Sequence, residues 1–216
     1  MLLALTTFVV IPWLRDHLGV APVMAWFLSG TCLVLLPVLL FGLLMARREL
    51  PNPTFAALLS RLRLKPLNRG DWIWTAGGMI MIAACSGLIV GVARLLDPSF
   101  RPSPWFLVDP PGLSPSLLAS WLPLFVSNIL GEELGWRGYL LPRQEAALGR
   151  RAWLANGLLW CLFHWSFGWQ IMLTLLPTTL LLPWIVQRRQ NTTVGIVVHG
   201  VFNAAAFLAV VSVSAA

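Results

Sequence analysis

The chain has 216 residues, of which 58% are hydrophobic and only 11% are charged, where a soluble domain typically carries about 25% charged residues. With a mean hydropathy of +0.79, this excludes a disordered chain and a water-soluble globular domain. The net charge of +7 sits in short clusters between apolar runs, which argues for membrane lipids with anionic headgroups as partners and against nucleic acid.

The fold class this predicts is all-α: a polytopic transmembrane helical bundle of about seven spans. A spanning helix needs about 20 mostly apolar residues. Taken in order, the apolar runs are 2–14, 22–46, 72–95, 117–140, 152–166, 168–187 and 194–214. The first is short. It has no basic leading region and no small-residue cleavage site, so it reads as a short first span, with an interfacial helix and six spans as the alternative, rather than a cleaved signal.

The loop after the second run holds Arg47, Arg48, Arg61, Arg63, Lys65 and Arg69. Within it, Asn52-Pro53 can cap and begin a helix. Phe55, Leu58, Leu59 and Leu62 then recur at helical spacing, as in a helix lying in the membrane interface. Loop 96–116 is different: six prolines, among them Pro110 and Pro111, and Arg101 set against Asp97 and Asp109. Basic loops return with Arg143, Arg150 and Arg151, and again with Arg188 and Arg189.

Every second loop is therefore basic. The positive-inside rule then places the N-terminus in the cytoplasm and the C-terminus outside, as expected for an integral protein of the bacterial plasma membrane. Trp13, Trp72, Trp74, Trp105, Trp165, Trp169 and Trp184 fall near span ends, where amphipathic rings anchor. Cys32, Cys85 and Cys161 lie inside apolar runs and read as small hydrophobic residues. The chain divides into residues 1–116, N-terminal spans with a basic cytoplasmic loop and a Pro-rich outer loop, and residues 117–216, a helical core bearing the polar groups.

Those groups are costly in a bilayer and mark function. Glu132, Glu133 and Arg137 interrupt the fourth run in GEELGWRGYL, His164 lies in the fifth, and His199 with Asn203 in the seventh. Glu132 is 11 residues before Arg143, His164 is 13 after Arg151, and His199 is 10 after Arg189. At about 1.5 Å per residue, all three lie roughly 15–20 Å from the basic rim, near mid-depth, as parts of one site.

Glu133 and Arg137 are spaced i and i+4, the favourable order for an ion pair. Glu132 is rotated to another face and left free to act, with Asn128 four residues before it as a hydrogen-bond partner. Gly131 and Gly135 have the spacing of close helix packing.

A glutamate, two histidines and an asparagine suit hydrolysis of a carbonyl compound, with a carboxylate as base and amide or imidazole donors for the oxyanion. Glu132, His164 and His199 also match a catalytic zinc set. A divalent metal such as zinc and a metal-free glutamate mechanism both fit the spacing. HExxH, GxGD and GxSxG are absent. A non-catalytic membrane immunity or scaffold protein would keep the same residues for packing, and a proton-coupled transporter would use them as a relay. The basic loops suggest access from the cytoplasmic side.

EExxxR at Glu132, Glu133 and Arg137, followed by GYLLPR, then His164, then HxxxN at His199 and Asn203 resemble the three motifs of the CPBP family. That family includes type II CAAX prenyl endopeptidases and bacteriocin-processing or self-immunity proteins. The resemblance covers about residues 117–212. It implies an intramembrane endopeptidase acting on a membrane-associated peptide or protein, such as a prenylated or leader peptide. By motif position, Glu132 would be the general base and His164 would hold the water. His199 and Asn203 would form the oxyanion site, and Glu133 with Arg137 would brace the span. The second motif usually reads FxxxH; Trp160 stands in place of the phenylalanine here.

Overall fold

The computed structural model describes residues 1–107 and 114–213, with side chains through Ala209. Asp109, Pro110, Pro111 and the C-terminus lie outside the described residues. The helices are α1 (2–18), α2 (Pro22–Arg48), α3 (Phe55–Arg61), α4 (Arg69–Leu96), α5 (115–148), α6 (Ala152–Phe163), α7 (Trp169–Arg189) and α8 (Thr192–Val213). Among the described residues there is no strand.

The seven expected runs are helical where described, but among the described residues only α2, α4, α7 and α8 are long and apolar enough to cross a membrane. The other three fall short for visible reasons. α5 carries Glu132, Glu133 and Arg137 in its middle. α6 stops at Phe163, with a 3-10 turn at Trp165–Phe167 completing the connection. α1 ends at Gly19, whose φ of 64° closes the helix, and Leu3 at its start shares an apolar cluster with Val34 and Leu35, midway along α2. α1 thus lies beside the first half of α2 only.

α2 packs on α5, α6 pairs with α7, α4 lies against α7, and α8 touches α4, α5 and α7. Ile73, Ile80, Met81, Leu88 and Leu95 of α4 are exposed, an apolar surface suited to lipid. Gly131 lets α5 approach α2 closely: a Cβ there would stand 2.6 Å from the Leu35 carbonyl oxygen.

The basic loops are tied together by buried or half-buried carboxylates. Helix α3 begins at Phe55, not at Pro53, because Thr54 is the residue whose hydroxyl accepts from a free helical amide, Ala57 N, at 3.2 Å. Arg61 and Arg63 turn into the bundle rather than toward headgroups. Arg63 donates to both oxygens of Glu145 at 2.9 and 2.7 Å, and Gln190 donates to the same carboxylate. Arg63 and Gln190 are the non-glycine residues with positive φ among the described ones, so Glu145 holds two strained turns at once. Asp71 completes the capping box of α4 with Asn68 and accepts from Arg189 at 2.8 Å and Asn191 at 3.1 Å.

Glu49 joins α2, α3 and α5, accepting from Arg61 Nε at 2.6 Å and Arg143 Nε at 2.7 Å. Burial pushes this carboxyl up, but the hydrogen bonds from Arg143 and Arg61 outweigh burial and hold it below its ordinary value. A carboxylate with a depressed folded pKa stabilises above its unfolded pKa of about 4.3 and loses that contribution as pH falls through the folded value. Glu49→Gln is expected to cost up to about 1 kcal/mol at neutral pH. The difference from wild type should shrink on acidification, read by thermal unfolding in detergent over a pH series.

Candidate active site

α5 changes from α to π geometry where the site begins: Pro115–Glu132 is α-helical and Glu133–Leu140 is a π segment. Such wider turns recur at functional sites because they re-aim side chains. Here two adjacent acids end up in different surroundings.

Glu133 points into the packed interior and is fully buried with Arg137, its partner one turn on, at 2.9 Å. The same Oε1 accepts from His199 Nδ1 at 2.8 Å. The Arg137 guanidinium has its Cζ 3.6 Å from the centre of the Trp160 ring, a desolvated cation–π contact. Arg137 Nε, Nη1 and Nη2 have no hydrogen-bond partner among the described residues, so the ring face and the ion pair with the carboxylate are what the cation has. Gly195 makes room for the acid: a Cβ there would stand 2.3 Å from Glu133 Oε2.

Glu132 faces a cavity of about 420 Å³ whose lining includes Asn128, Trp160, His164, His199 and Asn203. Its carboxylate accepts a hydrogen bond from the Trp160 indole N–H. His164 Nδ1 lies 2.8 Å from the Trp160 carbonyl oxygen. That oxygen can only accept, so Nδ1 carries the proton and Nε2 is left as the acceptor in the neutral ring. Trp160 is the hub: its ring also meets those of His164 and His199, at 5.9 and 5.3 Å between centroids.

Glu132, His164, His199 and Asn203 therefore do meet at one cavity, while Glu133 and Arg137 lie beneath it. One expectation is corrected. Asn128 does not bond Glu132; its Nδ2 donates to Asn203 Oδ1 at 3.4 Å, because the helix presents it to α8 and Trp160 already serves Glu132. Asn203 also donates to the His199 carbonyl at 3.3 Å, which orients its carboxamide. The cavity occupies one half of the bundle. Its lining on α5 runs from Leu117 to Glu132 and no further toward Arg143, so it lies away from the basic loops, not toward them.

Among the described residues no three His, Cys, Asp or Glu side chains gather as a group that would hold a metal ion. His199 Nδ1 bonds Glu133, His164 Nδ1 bonds a backbone carbonyl, and Glu132 accepts from an indole; these contacts leave Nε2 of both histidines free.

Sequence reasoning missed that Glu133 pairs with His199 as well as Arg137, and that Trp160 binds Glu132. The tryptophan at the usual phenylalanine position was a visible signal, since only an indole brings a donor. Gly195→Ala is expected to destabilise by about 1–3 kcal/mol through overpacking against Glu133. Gly200→Ala on the same helix, where a Cβ meets only Phe125 at 3.9 Å, should be neutral or stabilising; thermal unfolding of both variants checks the contrast.

Residues 114–205 match the family model described as Type II CAAX prenyl endopeptidase Rce1-like. No curated protein and no solved structure matches the chain. The matched stretch contains all six residues from Glu132 to Asn203 that the motifs single out. Over residues 114–205, somewhat less than half of its length, the chain is thus similar to the type II CAAX prenyl endopeptidase Rce1-like family, whose description is that of a protease.

Proposed function

We propose that the protein is an intramembrane endopeptidase in which Glu132 activates a water against a peptide bond of a membrane-associated substrate. The observation that carries this reading is the division between the two acids. Glu133 is neutralised by Arg137, whereas among the described residues no cationic side chain is bonded to Glu132, which faces the cavity.

The chemistry follows from the partners. The Glu132 carboxylate takes a proton from a water whose other hydrogen His164 Nε2 accepts. The water oxygen bonds to the carbonyl carbon, and the carbonyl electron pair moves onto oxygen. His199 donates through Nδ1 to the Glu133 carboxylate. His199 and Asn203 form the site that receives the oxyanion, with the free N–H of the Asn203 amide as its donor. Glu132 then delivers its proton to the leaving nitrogen, the C–N bond breaks, and a carboxylic acid and an amine result. Trp160 holds the Glu132 carboxylate in place through its N–H.

The test compares peptide termini across the membrane proteome of the native host, wild type against Glu132→Gln at equal protein levels. Glu132→Gln should lose the wild-type termini, a drop of about 10²-fold or more in rate for a lost general base, with unchanged thermal unfolding. Identical termini would mean a non-catalytic scaffold or immunity protein. Uptake driven by a pH gradient in sealed vesicles would mean a transporter.

A further inference from the structure

We infer that the basic end of the bundle holds one anionic phospholipid, its phosphate between Arg150 and Arg188 and an acyl chain along the outer face of α6. The site lies apart from the Glu132 cavity and does not depend on the protease reading.

A hollow of about 380 Å³ lies where the turn after α5 meets the start of α6 and the end of α7, and both arginines line it. Gln187 of α7 fixes its frame. The Gln187 Oε1 accepts from the Trp153 amide at 2.8 Å, and its Nε2 donates to the Gly149 carbonyl at 3.1 Å. Gly149 has a φ of 57°, which a glycine adopts without strain. The turn that carries Arg150 is thus tied to the helix that carries Arg188. Trp184 meets Trp74 of α4 edge-on, with 5.3 Å between centroids. The Arg188 Cζ lies 5.9 Å from the centre of the Trp184 ring, so this rim is held against α4 as well.

The charge of this hollow is unbalanced. Among the described residues no carboxylate pairs with Arg150, Arg151 or Arg188. Glu145, the acid among the described lining residues, is already engaged by Arg63 and Gln190. Arg150 and Arg151 also stand just before α6, whose first turn has no acid, at the helix end where cations are unfavourable and anions are favoured. The positive-inside rule accounts for arginines on this side of the membrane. It does not account for two of them lining one hollow with Trp153 and Trp184 beside them. A basic pocket between helices at a membrane rim fits a phosphate headgroup, and indole rings sit at headgroup level.

The occupant is a lipid rather than a soluble phosphate because an apolar track begins beside the hollow. Leu154, Leu158 and Leu162 follow Arg150 at steps of four, on one face of the helix, and all three are exposed. From Arg150 to Leu162 the chain rises about 18 Å at ~1.5 Å per residue, close to the ~15 Å depth of one leaflet's hydrocarbon. The headgroup is anionic because a choline or ethanolamine would bring a further cation to two unpaired guanidiniums.

Binding is read on the intact protein, delipidated in a neutral detergent, as the rise in thermal unfolding temperature and as the lipid retained in native mass spectrometry. The probes are phosphatidylglycerol, phosphatidylcholine with the same acyl chains, and glycerol 3-phosphate. Phosphatidylglycerol should stabilise the wild type and stay bound as a single molecule per chain, and the other two should do neither. Arg150→Gln combined with Arg188→Gln should raise the phosphatidylglycerol needed for half the effect by about 10-fold or more. Arg47→Gln combined with Arg48→Gln removes the same charge from exposed residues at the end of α2, outside the hollow, and should leave binding unchanged. Each pocket arginine is substituted singly if the double variant does not accumulate. Equal losses from the two double variants would mean a diffuse basic rim and would overturn the site. Equal stabilisation by phosphatidylcholine would overturn the anionic headgroup, and equal stabilisation by glycerol 3-phosphate would overturn the lipid. None of these readouts needs cleavage, so loss of the protease reading in the termini comparison leaves the lipid site standing, and the converse also holds.

Discussion

The structure turns on one buried cation. Arg137 is fully enclosed in an apolar bundle, and an uncompensated charge there would be prohibitive. Glu133 one turn before it and the Trp160 ring face above it supply the compensation. Everything near the site is placed by that requirement. Glu133 draws His199 into line through Nδ1, Trp160 is pinned between α5 and α6, and the pinned indole then reaches Glu132. One ion pair thus determines where three helices stand relative to each other, and leaves the neighbouring acid facing open space.

Removing either partner of such a pair is far more damaging than removing both, since a single deletion strands the remaining charge. This explains how adjacent glutamates of identical chemistry acquire different work. Glu133 is consumed by structure, and its only chemical influence is exerted through His199. Glu132, one residue earlier and before the π segment, is held by a neutral donor and keeps its oxygens at the cavity.

Much of this was legible in the sequence because charge in an apolar chain is so sparse. The helix ends follow from where Arg and Lys clusters begin, and α2, α4, α7 and α8 lie within a few residues of the runs that forecast them. The i, i+4 pairing of Glu133 with Arg137 and the convergence of Glu132, His164 and His199 could be read from spacing and depth. What could not be read crosses between helices. Asn128 chooses Asn203 over Glu132, and Trp160 bonds an acid 28 positions away; both depend on helix rotation, which apolar periodicity leaves loose in lipid. The side of the bundle that holds the hollow was not legible either. Depth locates a residue along the membrane normal but says nothing about which half of the bundle is packed. That is decided by Gly131 and Gly195, where missing side chains let the helices close.

The measurement that tests the account most directly is a double-mutant cycle at the buried pair. Unfolding free energies of Glu133→Ala, Arg137→Met and the double variant would be compared with wild type under matched detergent conditions. The account predicts that Glu133→Ala alone costs about 3–5 kcal/mol, and that adding Arg137→Met recovers much of that loss. Additive costs, or a Glu133→Ala variant as stable as wild type, would contradict the claim that this pair holds the site together.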